Sequence, residues 1–370
     1  MTNAGDPSPR EELLQRRLTR ARVALGALGM VVAVCAIAVG VTIWYWLSYL
    51  RGPSDAAFTR GPYLLRVTGS EAALRWTVRG GKAVSVTALA PDGKAVEVAG
   101  GVMRGLQPGT RYSWVASVEG NAEAGGSFTT PPVALDRSIR FAVFGDYGSG
   151  NDDEWAVGHL LAAQRPDFAV TAGDNSYLVA AEPLLDRNIF RPLAELMQNA
   201  PMYVCLGDHD KFFPGPGALS KAFDLPAGGR FTVHHGPIQV VVLGDEPNEP
   251  DAIAFARTAL HEEGPAVRFV ACHRPLQAGD PILPLLRETG ATVFSGHLHR
   301  YERRTVEGVQ TFTVGTGGQG PGSLDHTKKT PGADVSLLDI GALMVDVHAA
   351  GVGYTFLDKH GSVLDHVVIE

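Results

Sequence analysis

From Ile139 to the C-terminus, short apolar runs closed by glycine and a polar group alternate with stretches of helical spacing. The runs are Phe141–Phe144, Phe168–Ala172, Met202–Leu206, Val240–Leu243, Phe269–Cys272, Thr292–Phe294 and Phe312–Val314. Helices are predicted over Glu154–Gln164, Leu184–Gln198, Ala252–Glu262 and Ile282–Glu288. A strand that is apolar without alternation is buried on both faces, so the pattern predicts a layered α/β domain. Such folds bind ligands at the carboxyl ends of their strands. The last segment, Ala342–Asp346, Gly353–Leu357, Asp358–Gly361 and Val363–Ile369, is predicted to close the domain as a β-hairpin.

Upstream, from Phe58 to Pro132, the pattern changes to short alternating strands. Ala72–Val78 and Arg111–Val115 alternate, Pro91-Asp92-Gly93-Lys94 suits a hairpin turn, and no helical spacing is present. A small all-β sandwich is predicted over 58–132, ended by Pro131-Pro132, with the α/β domain over 137–370.

Before the sandwich lie a Gly/Pro/Ser linker, 51–57, and an uncharged run, Val23–Leu50. That run is long enough for a bilayer-spanning helix of about 20 residues. Arg10, Arg16, Arg17, Arg20 and Arg22 precede it, Arg51 follows it, and Trp44, Tyr45, Trp46 and Tyr49 gather at its far end. The positive-inside rule predicts a cytoplasmic segment 1–22, a transmembrane signal anchor 23–50 and an extracytoplasmic remainder. A cleaved signal peptide is the competing reading, but its apolar core should be only about 7–15 residues.

Composition narrows the partners. The 370 residues are 45% hydrophobic and 19% charged with a formal charge of -7, which excludes extended disorder and argues against nucleic acid. Cys35 falls in the apolar run. Cys205 and Cys272 each end a strand, and buried free thiols are expected there rather than a disulfide.

The chemistry sits where the apolar runs end. In order the clusters are Gly145-Asp146-Tyr147-Gly148, Gly173-Asp174-Asn175-Ser176-Tyr177, Gly207-Asp208-His209-Asp210, His273-Arg274-Pro275 and Gly296-His297-Leu298-His299. Any one Gly-Asp pair alone is an ordinary turn, and any one histidine an ordinary core or loop residue. His234 and His235 fall outside every cluster and are expected to be such residues. Gly315-Thr316-Gly317-Gly318 lacks the lysine of a phosphate loop and is expected to be a close-packed turn beside the site. Together, the carboxylates and imidazoles form the mixed donor set that two adjacent cations need, one carboxylate bridging. Such a pair clamps phosphate and lowers the pKa of bound water.

These clusters resemble the purple acid phosphatases within the calcineurin-like metallophosphoesterases, whose blocks run GDxG, GDxxY, GNHE, HxP and GHxH. Arg60-Gly61-Pro62-Tyr63-Leu64 and Gly105–Tyr112 are similar to the fibronectin-III-like domain that precedes the catalytic domain of larger members. The resemblance implies a four-layer α/β domain, two packed mixed β-sheets flanked by helices. It implies a binuclear centre of Fe(III) plus a divalent ion (Zn, Mn or Fe). Asp146, Tyr177, His299 and bridging Asp174 would hold the ferric ion; Asp174, Asp208, His273 and His297 would hold the divalent one. His209 would bind phosphate or protonate the leaving oxygen, with Asp210 orienting it. The implied activity is hydrolysis of phosphate monoesters by a metal-bound hydroxide.

Asp208 departs from the family's asparagine: a carboxylate ligates metal but cannot donate a hydrogen bond to phosphate. Two alternatives therefore stand beside the monoesterase. One is a phosphodiesterase like the PhoD-type alkaline phosphatases, the other a metal-binding surface protein with impaired turnover.

Overall fold

The computed structural model describes residues 9–50, 58–177, 182–320 and 328–370. Residues 1–8 of the predicted cytoplasmic segment and the predicted linker 51–57 lie outside them. The chain divides into two compact units, Met1–Ser54 and Asp55–Glu370. The first contains α1, one continuous helix from Pro9 to Leu50. Val23, Leu25, Leu28, Met30, Val32 and Ile37 stand exposed along it. Among the described residues no helix is long and apolar enough to cross a membrane, so the predicted span 23–50 is not supported as a membrane helix. The side chains of 44–50, with their aromatic residues, lie outside the described ones.

The second unit begins with seven strands: β1 (Phe58–Val67), β2 (Glu71–Val78), β3 (Val84–Leu89), β4 (Glu97–Ala99), β5 (Val102–Arg104), β6 (Arg111–Val118) and β7 (Asn121–Thr129). They form two antiparallel sheets, β1-β2-β5-β4 and β3-β6-β7. This is the ABED and CFG strand order of the constant-type immunoglobulin sandwich. Tyr112, near the start of the sixth strand, accepts a hydrogen bond at 2.8 Å from the Gln107 N–H, the tyrosine corner of that architecture. Leu64, Leu74, Met103, Leu106, Trp114 and Phe128 fill the space between the sheets.

The remaining chain builds two larger sheets. One contains parallel β8 (Ile139–Phe144), β9 (Phe168–Thr171) and β10 (Met202–Tyr203). The other is built on parallel β12 (Ile238–Gly244), β13 (Val267–Cys272), β14 (Thr292–Ser295) and β16 (Val309–Val314), with antiparallel β11 (Phe231–His235), β15 (Tyr301–Val306) and β17 (Val335–Leu337) at its edges. The inner faces meet through Phe141, Val143, Val240, Phe269, Phe294 and Phe312. Outside the first sheet pack α2 (Asp152–Gln164), α4 (Ala194–Asn199) and α5 (Gly217–Phe223); outside the second pack α6 (Pro250–Leu260) and α7 (Leu283–Thr289). Helix, sheet, sheet, helix gives the four layers expected.

Two predicted elements change. The helix predicted over Leu184–Gln198 is split into α3 (Glu182–Leu185), a π turn at Asp186–Phe190, and α4. Pro192 has no N–H to continue the helical ladder and crowds the residue before it. The closing hairpin is instead a three-stranded meander of β18 (Gly341–His348), β19 (Gly351–Asp358) and β20 (Val363–Ile369), and its first strand pairs antiparallel with β8.

The sandwich packs directly on the α/β domain. Tyr63 donates to Ala222 O at 2.6 Å, Trp114 Nε1 donates to Gln198 O at 3.2 Å, and Arg60 pairs with Asp186 and Glu182 at 2.5 Å. These contacts brace the π turn and α4, which flank the first sheet.

His235 is fully buried with its ring 4.5 Å from that of Phe168, and neither ring nitrogen has a hydrogen-bond partner among the described residues. Burial, with a smaller push from Arg137, lowers its pKa to about 3. The unfolded chain, titrating near 6.5, therefore binds a proton that the fold rejects, and stability falls as pH drops from about 6.5 toward 3. His235→Phe is expected to stabilise by roughly 1–3 kcal/mol at pH 7, the cost of an unpaired buried polar group, and by more at pH 5. Denaturant unfolding at the two pH values checks this; a variant less stable at both would reveal a partner for the imidazole.

Candidate metal centre

Every polar cluster lies where a parallel strand leaves its sheet. Asp146 follows β8, Asp174 follows β9 and Asp208 follows β10; His273 follows β13 and His297 follows β14. Asp146, Asp174 and His297 have positive φ (55°, 51° and 66°), a left-handed turn that ends each strand abruptly. L-residues bear strain there, and such positions cluster at functional sites.

Backbone bonds lock the strand ends together. Asp146 N–H donates to Gly173 O at 3.0 Å, Gly296 N–H to His273 O at 2.9 Å, and Gly317 N–H to Gly145 O at 2.8 Å. The Gly315–Gly318 segment is therefore the close-packed turn expected. Two glycines are required by contact. A Cβ at Gly148 would lie 1.9 Å from Asn175 O, which explains why no side chain stands two residues after Asp146. A Cβ at Gly207 would lie 2.2 Å from Asp174 Oδ1.

The seven predicted ligands converge. Tyr177 Oη lies 3.2 Å from Asp146 Oδ1, 3.4 Å from Asp174 Oδ2 and 3.1 Å from His299 Nε2. His273 Nε2 lies 3.3 Å from Asp174 Oδ1 and 2.9 Å from Asp208 Oδ1, and His297 Nδ1 is 3.3 Å from Asp208 Oδ1. Asp174 thus turns one oxygen to each of two donor sets. Donor atoms of Asp208, His273 and His297 all lie within 4.8 Å of one another, as do those of Asp146, Asp174 and His273.

Outer contacts aim the imidazoles. His273 Nδ1 pairs with Ala172 O at 2.9 Å and His299 Nδ1 with Gly320 O at 2.8 Å, which turns each Nε2 inward. Metal-binding histidines are held in this way. The donor chemistry fits two adjacent cations: oxygen and imidazole donors, a shared carboxylate, and oriented outer partners. The first set is deeply buried, whereas Asp208 and His297 side chains are 26% and 28% exposed, so the second set faces solvent.

Charge is concentrated there. Burial works against ionising Asp146, but His299, His273 and the His297 N–H outweigh it and hold its pKa below the usual range. Hydrogen bonds from His273 and His297 push Asp208 far below its usual value. Burial opposes charge on His273, but Asp174 and Asp208 raise its pKa well above normal. Burial, then Asp146 and Asp174, push the Tyr177 phenol far up. His273 and His299 hold protons against the carboxylates, so loading the site releases them.

His209 stands beside the donors. Its N–H donates to Asp174 Oδ1 at 2.9 Å, and its ring sits 4.6 Å from Tyr177 and 4.9 Å from Phe212. Asp210 corrects an expectation. It is fully buried and accepts from the N–H groups of Gly207 (2.8 Å), Asn175 (3.0 Å) and Ser176 (3.1 Å) and from Asn175 Nδ2 (2.7 Å). The turn after Asp208 points it inward, so it ties the second cluster to the third instead of orienting the His209 ring. Burial raises its pKa to about 7.

Asn175 carries no predicted role but is a hub, bonding Tyr147, Thr171 and Cys205 O besides Asp210. Its place directly after a ligand was the only signal. Cys205 and Cys272 are free and buried, as expected.

Convergent carboxylates, imidazoles and a phenol thus meet at the strand ends of a four-layer α/β domain. Residues 139–301, which contain all five clusters, match the family model of the calcineurin-like phosphoesterases. By this domain the chain is a phosphoesterase hydrolase. Among solved structures, the purple acid phosphatase PPD1 of yellow lupin (Lupinus luteus) seeds superposes with a TM-score of 0.68 at 13% identity, covering 84% of this chain and 74% of that one. The structure of PhoD gives 0.67 at 12% identity, covering 86% and 90%. GAP50, the anchor in the inner membrane complex of Plasmodium, gives 0.52 at 16% identity, covering 63% and 89%. These likenesses establish a shared fold. No curated protein matches the chain by sequence.

Proposed function

We propose that this chain is a membrane-anchored, extracytoplasmic phosphatase that hydrolyses phosphate monoesters with a pair of metal ions. The observation that carries the reading is the division of Asp174, whose Oδ2 faces Tyr177 while Oδ1 faces His273. On this reading Asp146, Tyr177 and His299 with Asp174 hold Fe(III), because a phenolate is a hard anionic donor. Asp174, Asp208, His273 and His297 hold a divalent Zn, Mn or Fe ion. When bound, such a pair screens phosphoryl charge and supplies a nucleophile at neutral pH. The chain's own residues do the remainder. His209, fixed by its backbone bond to Asp174 and by the flanking rings, donates a proton to the leaving oxygen. Asp210 and Asn175 keep the turns that carry Asp174 and Asp208 in register.

The anchor reading rests on the uncharged run 23–50, the arginines before it and the exposed aliphatic side chains along α1. The intact chain should then sediment with membranes and need detergent, not salt, for release; release by salt alone would overturn it. We read the sandwich as the fibronectin-III-like domain of the larger phosphatases, on its two packed antiparallel sheets and its place directly before the α/β domain.

Asp208 favours a second reading, a phosphodiesterase, since an extra carboxylate repels a dianionic monoester more than a monoanionic diester. Rates on nitrophenyl phosphate and bis(nitrophenyl) phosphate decide. Higher kcat/KM on the monoester is expected, the reverse order selects the diesterase, and turnover of neither by metal-loaded protein leaves the surface binding protein.

A further inference from the structure

The position after His273 is held by Arg274, whose guanidinium lies between two groups of different character. Behind it, Nε lies 3.1 Å from Asp245 Oδ1 and 2.7 Å from Glu246 Oε1. In front, Nη1 lies 3.4 Å from His297 Nε2 and Nη2 lies 3.8 Å from Asp208 Oδ2. Asp245 is itself fixed: it is buried, takes Lys211 Nζ at 3.0 Å, and its carbonyl accepts the Arg274 N–H at 3.2 Å. The Arg274 side chain is 36% exposed, on the same side as the open Asp208 and His297 edge.

A guanidinium held at its Nε end by the charge of two carboxylates, with no hydrogen bond from Nε itself among the described residues, presents its two terminal amino groups as a fork, the geometry that grips two phosphoryl oxygens at once. Its position also answers the chemistry of Asp208. An amide at 208 would donate to phosphate and carry no charge; the carboxylate does neither. Arg274 returns both a donor and a positive charge at the same edge.

We infer that Arg274 is a substrate-binding residue that grips the phosphoryl oxygens and offsets the charge of Asp208, so that a dianionic phosphate is accepted. This rests on the phosphoester reading above. The bland alternative is a rim ion pair with Asp245 and Glu246, worth little in solvent.

The test uses the full chain in detergent, with inorganic phosphate as the probe and metal content measured alongside. Arg274→Gln should weaken competitive inhibition by phosphate and raise KM for a monoester by about tenfold or more, as expected for loss of a charged hydrogen bond. The diester should suffer less, kcat should change little, and metal content should hold. Arg274→Lys should recover part of the loss, since it keeps the charge without the fork. Asp208→Asn added to Arg274→Gln should restore phosphate binding, because the charge that Arg274 offsets is gone. Unchanged phosphate inhibition in Arg274→Gln overturns the inference, as does loss of metal in step with loss of phosphate. Where the Gln variant does not fold, the Lys variant decides: several-fold weaker inhibition is expected and an unchanged value overturns. Wild-type protein that holds its metals yet neither binds phosphate nor cleaves an ester removes the phosphoester reading itself, and this inference with it.

Discussion

Asp174→Asn is expected to lose about 10³-fold or more in phosphoester hydrolysis and to lose metal from both positions together. The size follows from several kcal/mol of transition-state charge stabilisation by the metal pair. The double effect follows from geometry. Its Oδ2 belongs to the set with Tyr177 and its Oδ1 to the set with His273. Asp208, by contrast, meets the imidazoles of His273 and His297 but not the set with Tyr177, so Asp208→Ala should empty one position. Asp174 Oδ1 also accepts the His209 N–H, so the variant's thermal stability must be followed to separate ligand loss from a loosened turn. Loss of one metal only from Asp174→Asn would mean that the carboxylate does not bridge.

His209→Ala should cost about 10²–10⁴-fold on alkyl phosphates, the range for removal of a general acid. On nitrophenyl phosphate the loss should be much smaller, because that leaving group needs no proton. The imidazole is not a member of either donor set, and metal content should stay at the wild-type value. The half-buried ring packs against Tyr177 and Phe212, which restrains its plane. Equal losses on both substrates would assign His209 to phosphate binding or to packing.

Much of the centre was legible because a buried parallel strand must end before its chain can turn. An apolar run that stops at Gly-Asp, Gly-His or, once, Cys272-His273 marks that point, and five such ends share one edge of two sheets. Boundaries failed where a single residue outweighed the pattern: Pro192 broke the helix expected over Leu184–Gln198. The break at Asp358–Gly361, where Gly361 N–H bonds back to Asp358 O at 2.9 Å, was legible, but the strand after it joins the expected hairpin as a third. Side-chain direction was harder still. Nothing in the spacing of Asp208-His209-Asp210 tells that the third residue points inward, because a short 3₁₀ turn at His209–Lys211 rotates it there. Arg274 was hidden for a related reason: the carboxylates that anchor it, Asp245 and Glu246, come from the end of a different strand.

Elemental analysis of the intact purified chain, read beside its visible spectrum, tests the central claim most directly. Two metal ions per chain are expected, one of them iron with a tyrosinate charge-transfer band that disappears in Tyr177→Phe. Full phosphoester hydrolysis by protein carrying one ion or none, with no such band, would contradict it.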